Sequence, residues 1–401
     1  MSIKVLQINA VYGSGSTGTI VRDLEQICGE SDIVCYIASP DANVKKAKNP
    51  YLIGNRFDHK IHAILTRLTG KQGYFSKRST RKLLDYIGYV RPDIVHLHNL
   101  HSNYINLNAL FAYLAEHDIP TIISLHDCWF YTGGCFHYTA VGCDRWLKNC
   151  GKCPKRGEDN FSVFFDNSAL ILSDRKKYLL NIPRLYIVGV SDWIAQEASK
   201  TFLRSKVVTS IRNGVDMNIF KPTVSDLRKS LGFENKYVIL GPGSKWLLPE
   251  NSPVLDYFSE NMREDEILLL YGINDFKKKL PPNIRIYGYT KDRSELAELY
   301  TMADVFVNTT REDSLSLINV ESQACGTPVV TFDATGPKET VDGLCSRSVS
   351  VGDKKLLIDI VHSIRDNQKS DDADRCRAFV KNRFDKYSQY KKFVECYRSI
   401  V

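Results

Sequence analysis

Short apolar runs ending in polar residues recur along the first half of the chain. They are "IKVLQIN" (3–9), "DIVCYIAS" (32–39), "PDIVHLHN" (92–99), "PTIISLHD" (120–127) and "RLYIVGVS" (184–191). Runs of this length without alternation predict parallel strands buried on both faces, with polar residues at their carboxyl ends. Helical spacing lies between them, in "TGTIVRDLEQICGE" (17–30) and "WIAQEASKTF" (193–202), before a strand and turn in "VVTSIRNGVD" (207–216). The pattern then restarts with "YVILGPGS", "EILLLYG", "IRIYGY", "DVFVNTT" and "PVVTFD" as strands. The helices of this half are "SPVLDYFSENM", "RSELAELYTMA" and "SLINVESQAC", and residues 372–401 read as helical and charged. Periodicity breaks at "NIFKPT" (218–223). The pattern predicts an α/β chain with two doubly wound domains facing a cleft, ligands binding beyond the carboxyl ends of the strands. The expected bounds are 1–217 and 218–380, with a helix over 381–401 crossing back to the first domain.

A length of 401 residues agrees with two domains. Composition is that of a globular protein, 43% hydrophobic and 25% charged. No apolar run approaches the ~18 residues of a membrane span, and the start lacks the features of a signal peptide. The expected location is therefore the cytoplasm, with peripheral contact at the inner membrane face as an extension. The formal charge of +8 suits a phosphate-bearing partner or an anionic membrane. Its densest stretch, Lys71, Lys77, Arg78, Arg81 and Lys82, reads equally as a solvated loop and helix start. No zinc-finger, helix-turn-helix or RNA-stacking motif appears, which argues against nucleic acid.

Two motifs carry chemistry. "GSGSTGT" places Gly13, Gly15 and Gly18 between the first strand and helix. Backbone N–H groups there can meet an anion, although a tight turn needs glycine anyway. In "TTREDSLSLINVESQACGTPVV" (309–330), Glu312 and Asp313 lie near a helix start and Glu321 lies about two turns further on. The stretch resembles the E-x7-E region of the family-4 retaining glycosyltransferases of the GT-B fold. "NGVDMNIF" (213–220) is similar to that family's interdomain turn, and "LYTMADVFVN" (299–308) to the strand before its acidic loop. "PDIVHLHNLHSNYINLNALFAYL" and "LHDCWFYTGGC" resemble a bacterial subgroup that builds colanic-acid-like, capsular and other surface polysaccharides.

The resemblance implies roles position by position. Asp313, with Glu312, would contact the donor sugar, and Glu321 the ribose hydroxyls. N–H groups of Ser314, Leu315, Ser316 and Leu317 would meet sugar and pyrophosphate. His126 matches the cleft histidine near the donor sugar, and Tyr289 lies where backbone groups hold the base. Gly13, Gly15 and Gly18 would line acceptor and phosphate; independently of the resemblance, His98 and Asn99 at a strand end are candidates to touch the acceptor. The implied reaction is retaining sugar transfer from a UDP- or GDP-type nucleotide sugar to a lipid-linked or oligosaccharide acceptor. It needs neither a dedicated protein base nor a catalytic metal or cofactor. The chain departs from the subgroup at its W-x-x-R-K-G segment. Pro249 and Glu250 stand where Arg and Lys clamp the pyrophosphate, so Lys245 or another cation must substitute, or donor binding is weak or absent. A non-catalytic GT-B subunit binding a glycan or a partner transferase is therefore the second reading, and a nucleotide-sugar epimerase the third.

The stretch 124–154 holds Cys135, Cys143, Cys150 and Cys153, ending in C-x2-C. In a reducing compartment this spacing suggests a structural tetrahedral Zn site, with plain thiols as the second reading and disulfides as the third. His96 and His98 share one side of their strand; packed core histidines are the simpler reading.

Overall fold

The computed structural model describes residues 2–159, 162–277, 279–367 and 372–401. The chain forms two compact units, Met1–Arg212 with Tyr390–Val401, and Asn213–Gln389. The first holds strands β1 (Ile3–Ile8), β2 (Ile33–Ser39), β3 (Pro50–Leu52), β4 (Ile94–Leu97), β5 (Thr121–Leu125), β6 (Leu185–Gly189) and β7 (Val207–Ser210). They pair in parallel in the order β3-β2-β1-β4-β5-β6-β7. The second holds β8 (Tyr237–Pro242), β9 (Glu266–Tyr271), β10 (Ile284–Tyr287), β11 (Val305–Asn308), β12 (Val329–Phe332) and β13 (Arg347–Val349). Their order is β10-β9-β8-β11-β12-β13, again parallel throughout. Strand order reverses beside β1 and β4 in one sheet and beside β8 and β11 in the other. Those switch points open a crevice at the carboxyl ends of the strands.

Both sheets carry apolar residues on both faces, as the unalternated runs require. On one face of the first sheet, Val5, Leu24, Ile37 and Ile94 share a core with Tyr390, Phe393, Val394 and Tyr397 of the Lys386–Ile400 helix. That terminal helix is therefore part of the first unit's core. It is fixed by a polar contact as well as by packing. Buried His96 lies between the Tyr397 hydroxyl at 2.6 Å and Ser124 Oγ at 2.8 Å. Burial holds its pKa down to about 3, so the ring is neutral and both of its nitrogens are paired.

The structure corrects one local expectation, that of a helix over 381–401. The C-terminal stretch is two helices, Asp372–Phe384 and Lys386–Ile400. Between them Asp385 bridges Val215, with Val215 N–H donating to Phe384 O and Lys386 N–H to Val215 O. Gly214 makes this crossing feasible: a Cβ there would sit 2.3 Å from Lys386 Cα. Edge strands β3 and β13, three residues each, carry too little apolar pattern to be read from sequence.

Removing the Tyr397 hydroxyl leaves a buried His96 nitrogen unpaired. Tyr397→Phe should cost about 1–3 kcal/mol, read as a lower urea midpoint at unchanged slope. An unchanged midpoint would show that this bond does not anchor the helix.

Candidate active site

In the second unit the site is built at the end of β11. Asn308 is fully buried, and its Nδ2 donates to Ser316 Oγ at 2.9 Å and to Asn319 Oδ1 at 2.8 Å. Its Oδ1 accepts from Thr310 N–H at 3.1 Å. The side chain thus closes the loop 309–316 over the strand end and fixes the start of the Leu317–Ala324 helix. Ser316 enters that helix at φ 67°, a left-handed conformation that costs energy for a side-chain-bearing residue. No side chain caps the helix. Its first amides carry the partial positive charge of a helix N-terminus, and Ser314 Oγ is buried without a hydrogen-bond partner. This arrangement suits an anion.

The segment after β12 packs closely against this loop. Thr335 Oγ1 donates to Asp313 O at 2.6 Å, and Gly336 N–H donates to the same carbonyl at 3.1 Å. A Cβ at Gly336 would lie 1.9 Å from Ser314 O, so only glycine fits. Glu312 and Asp313 are half-buried in the loop, Leu315 is buried, and Leu317 opens the helix.

Glu321 lies on the same helix, half-buried beside the Tyr300 hydroxyl at 3.3 Å. Burial raises its carboxyl to about 7, against the opposing pull of Arg293 and the Tyr300 hydrogen bond. The Tyr289 side chain is exposed and its N–H donates to Asn274 Oδ1 at 2.7 Å, tying together the segments that follow β9 and β10.

At the Pro249–Asn251 turn, Arg311 donates from Nε to Asn251 Oδ1 at 2.8 Å and from Nη2 to Glu250 O at 2.9 Å. A guanidinium therefore lies against the turn where the expected cation pair is missing. Lys245 sits in the short Gly243–Trp246 helix after β8, its carbonyl accepting from Asn251 Nδ2. Sequence reasoning missed Arg311, Arg293, Asn308 and Gly336. For Arg311 the signal was available, since it immediately precedes Glu312.

The first unit has its own strand-end constellation. Gly13 and Gly15 adopt φ of 69° and 63°, and Gly13 N–H donates to Gly18 O at 2.8 Å. The Gly15–Gly29 helix that follows has no side-chain cap. At the end of β4, His98 is fully buried and Asn99 donates its N–H to Asn9 Oδ1 at 3.1 Å. His98 Nε2 lies 3.1 Å from Gln7 Oε1, and its Nδ1 lies 3.0 Å from His126 Nε2. Burial keeps both rings neutral, holding His126 at about 4 and His98 well below its usual value. Gln7 Oε1 can only accept, so His98 carries its proton on Nε2 and accepts at Nδ1. His126 must then donate from Nε2, which leaves its Nδ1 a bare acceptor, and that atom is buried with no partner.

The structure gathers Cys135, Cys143, Cys150 and Cys153 around one cavity of about 20 Å³, beside Gly133 and Trp146. It does not give them a ligating arrangement. Among the described residues no group of three or more His, Cys, Asp or Glu is disposed to hold a metal ion. The structural Zn expectation therefore finds no support among the described residues. Burial raises Cys135 to about 12 and Cys150 to about 11, and raises Cys153 as well, which favours neutral thiols. Contacts with Thr132 and with the backbone of Gly133 and Lys155 pull the other way, toward the thiolate, but burial outweighs them. All four cysteines are free thiols, so the disulfide reading is not met either.

Two family models match the chain: Glycosyltransferase Family 4 over residues 30–219 and Glycosyl transferases group 1 over residues 243–367. An uncharacterized 41.2 kDa protein in the cps region of Klebsiella pneumoniae is 29% identical over 31% of this chain and 35% of its own length. The UDP-Gal:alpha-D-GlcNAc-diphosphoundecaprenol alpha-1,3-galactosyltransferase of Escherichia coli is 24% identical over 48% of this chain and 54% of its own. The chain thus matches roughly a third to a half of the length of these curated relatives. The HepE protein of Anabaena, solved with UDP-glucose, superposes with a TM-score of 0.65 at 16% identity, covering 99% of this chain and 100% of that one.

Two outcomes check this geometry. Gly336→Ala must displace the Ser314 carbonyl, so it should weaken nucleoside diphosphate binding at least tenfold in calorimetry while the fold persists by circular dichroism. Unchanged affinity would separate this contact from the site. At pH 8, Cys135 and Cys150 should alkylate more than tenfold slower in the native chain than in urea, because their thiols sit well above the ordinary value of about 8.5. Equal rates by peptide mass spectrometry would contradict the buried-thiol account.

Proposed function

Because the chain belongs to the group 1/family 4 glycosyltransferases of the GT-B fold, we propose that it is a retaining hexosyltransferase. Its donor would be a UDP- or GDP-linked sugar and its acceptor a lipid-linked or oligosaccharide hydroxyl of a surface polysaccharide. The observation that carries this reading is the uncapped Leu317–Ala324 helix with Glu321 two turns from Asp313. In this reading Glu321 accepts from the ribose hydroxyls. The amides of Ser314 to Leu317 and the helix N-terminus take the diphosphate. Glu312 and Asp313 orient the sugar hydroxyls, and the backbone at Tyr289 meets the base. His126 is the histidine that this reading sets near the donor sugar. Gly13, Gly15, Gly18, His98 and Asn99 form the acceptor side.

In the reaction, the bond between the anomeric carbon and the diphosphate oxygen breaks, and the acceptor oxygen bonds to that carbon on the same face. The acceptor proton passes to the departing phosphate oxygen. Charge builds on that phosphate, so preorganised N–H donors stabilise the transition state more than the ground state. Arg311 supplies the cation that Pro249 and Glu250 do not. The capsule-region and galactosyltransferase relatives support a surface-polysaccharide role.

The test is a screen of the full chain with UDP- and GDP-linked hexoses. Transfer with retained anomeric configuration is expected. Glycan binding without turnover would select the non-catalytic subunit instead, the alternative that Glu250 favours.

Glu321 also sets a pH dependence. Its carboxyl titrates near 7, and only the carboxylate accepts both ribose hydroxyls. Affinity for a nucleotide sugar, whose diphosphate diester keeps a constant charge, should be full above pH 7 and fall as pH drops below it. Glu321→Gln should flatten that dependence, and Glu321→Ala should cost about 1.5–3 kcal/mol of binding. A wild-type affinity independent of pH, or an unaffected Glu321→Ala, would remove Glu321 from the ribose.

A further inference from the structure

The Arg56–Thr69 helix is amphipathic in the wrong sense for a core helix. It buries the polar residues His62 and Thr66, with His62 Nδ1 2.9 Å from Ser76 Oγ and His62 Nε2 accepting from Gly73 N–H. Its apolar residues Phe57, Ile61, Ile64 and Leu68 recur at spacings of four, three and four, which align them on one stripe. That stripe faces solvent: Phe57 is 74% exposed, Ile64 56%, and Ile61 and Leu68 are exposed too. Single exposed apolar side chains are ordinary, but a contiguous patch marks an interaction surface.

The patch extends beyond the helix. Val163 N–H donates to Arg67 O at 2.8 Å, bringing the loop 162–165 against the last turn. Val163, Phe164 and Phe165 are all more than half exposed there, with the two phenylalanine rings in edge contact.

Charge identifies the occupant. From Arg56 to Lys82 the sequence holds Arg56, Lys60, Arg67, Lys71, Lys77, Arg78, Arg81 and Lys82 against one acid, Asp58. Arg56, Lys60 and Arg67 are exposed, and their helical spacing places them along one flank of the stripe. A second copy of this face would bring like charges together, whereas an anionic bilayer complements both the apolar stripe and its basic border. No described helix is long and apolar enough to cross a membrane, so the helix would lie in the interface plane. We infer that the Arg56–Thr69 helix and the loop 162–165 form a docking surface for an anionic phospholipid membrane. The inference goes beyond the transferase reading and does not depend on the donor site.

Vesicle flotation of the full chain tests it. The protein should bind vesicles of phosphatidylcholine with phosphatidylglycerol far more tightly than phosphatidylcholine alone. Binding to the anionic vesicles should weaken as salt rises. Phe57→Ser with Ile64→Ser should weaken partitioning at least tenfold, and so should Arg56→Glu with Lys60→Glu. All four side chains are exposed, so the melting temperature should not move, which separates lost docking from lost folding. Three results would overturn the inference. One is no binding of the wild-type chain to anionic vesicles. Another is equal binding by the variants. The third is a dimer in light scattering that Ile64→Ser dissolves, since a second copy would then be the occupant.

Discussion

The carboxamide of Asn308 is the contact on which the second unit's site depends. It joins strand end, loop and helix start through three hydrogen bonds, to Ser316, Asn319 and Thr310. Ser316 stays left-handed only because such surroundings over-determine it. That conformation aims the helix start outward with its amides uncapped. Asn319 is held in turn by donating from Nδ2 to Thr340 Oγ1 at 2.9 Å. A buried network of this kind is stable only while every member is paired. The loop is thus preorganised before any ligand arrives, and organisation in advance is what electrostatic stabilisation of a leaving group requires.

The first unit uses the same logic with imidazoles. Gln7 fixes the tautomer of His98, and His98 fixes that of His126. Burial removes the charged forms, so the relay delivers a defined acceptor rather than a titrating base. A neighbouring histidine, His96, has a different role. It holds the terminal helix through Tyr397, which makes it a core residue, as the simpler reading of the sequence had it.

The alternation of apolar runs and helical spacing was enough to read the parallel α/β architecture, because buried parallel strands need uninterrupted apolar residues. That an acidic loop leads into a helix carrying Glu321 was legible because their spacing is a motif. Arg311, Gly336 and Asn308 were not, because their roles arise from segments brought together by folding. Arg311 reaches back sixty residues to Asn251. Gly336 matters for the backbone that passes it rather than for any pattern around it. The cysteines failed in the opposite direction. Their spacing brought all four to one cavity, but no metal-holding group forms among the described residues, and burial raises Cys135, Cys150 and Cys153. The basic stretch at 71–82 was visible as composition. Only the fold shows that the apolar residues of the neighbouring Arg56–Thr69 helix face solvent.

The central claim is that the turn between β11 and the Leu317–Ala324 helix holds the donor diphosphate. Hydrogen–deuterium exchange of the full chain, with and without a saturating nucleotide sugar, tests it most directly. The account predicts slowed exchange in peptides covering residues 312–320 and 288–290, with little change at the β12–β13 edge. Protection confined to other segments, with residues 312–320 exchanging at the ligand-free rate, would contradict it.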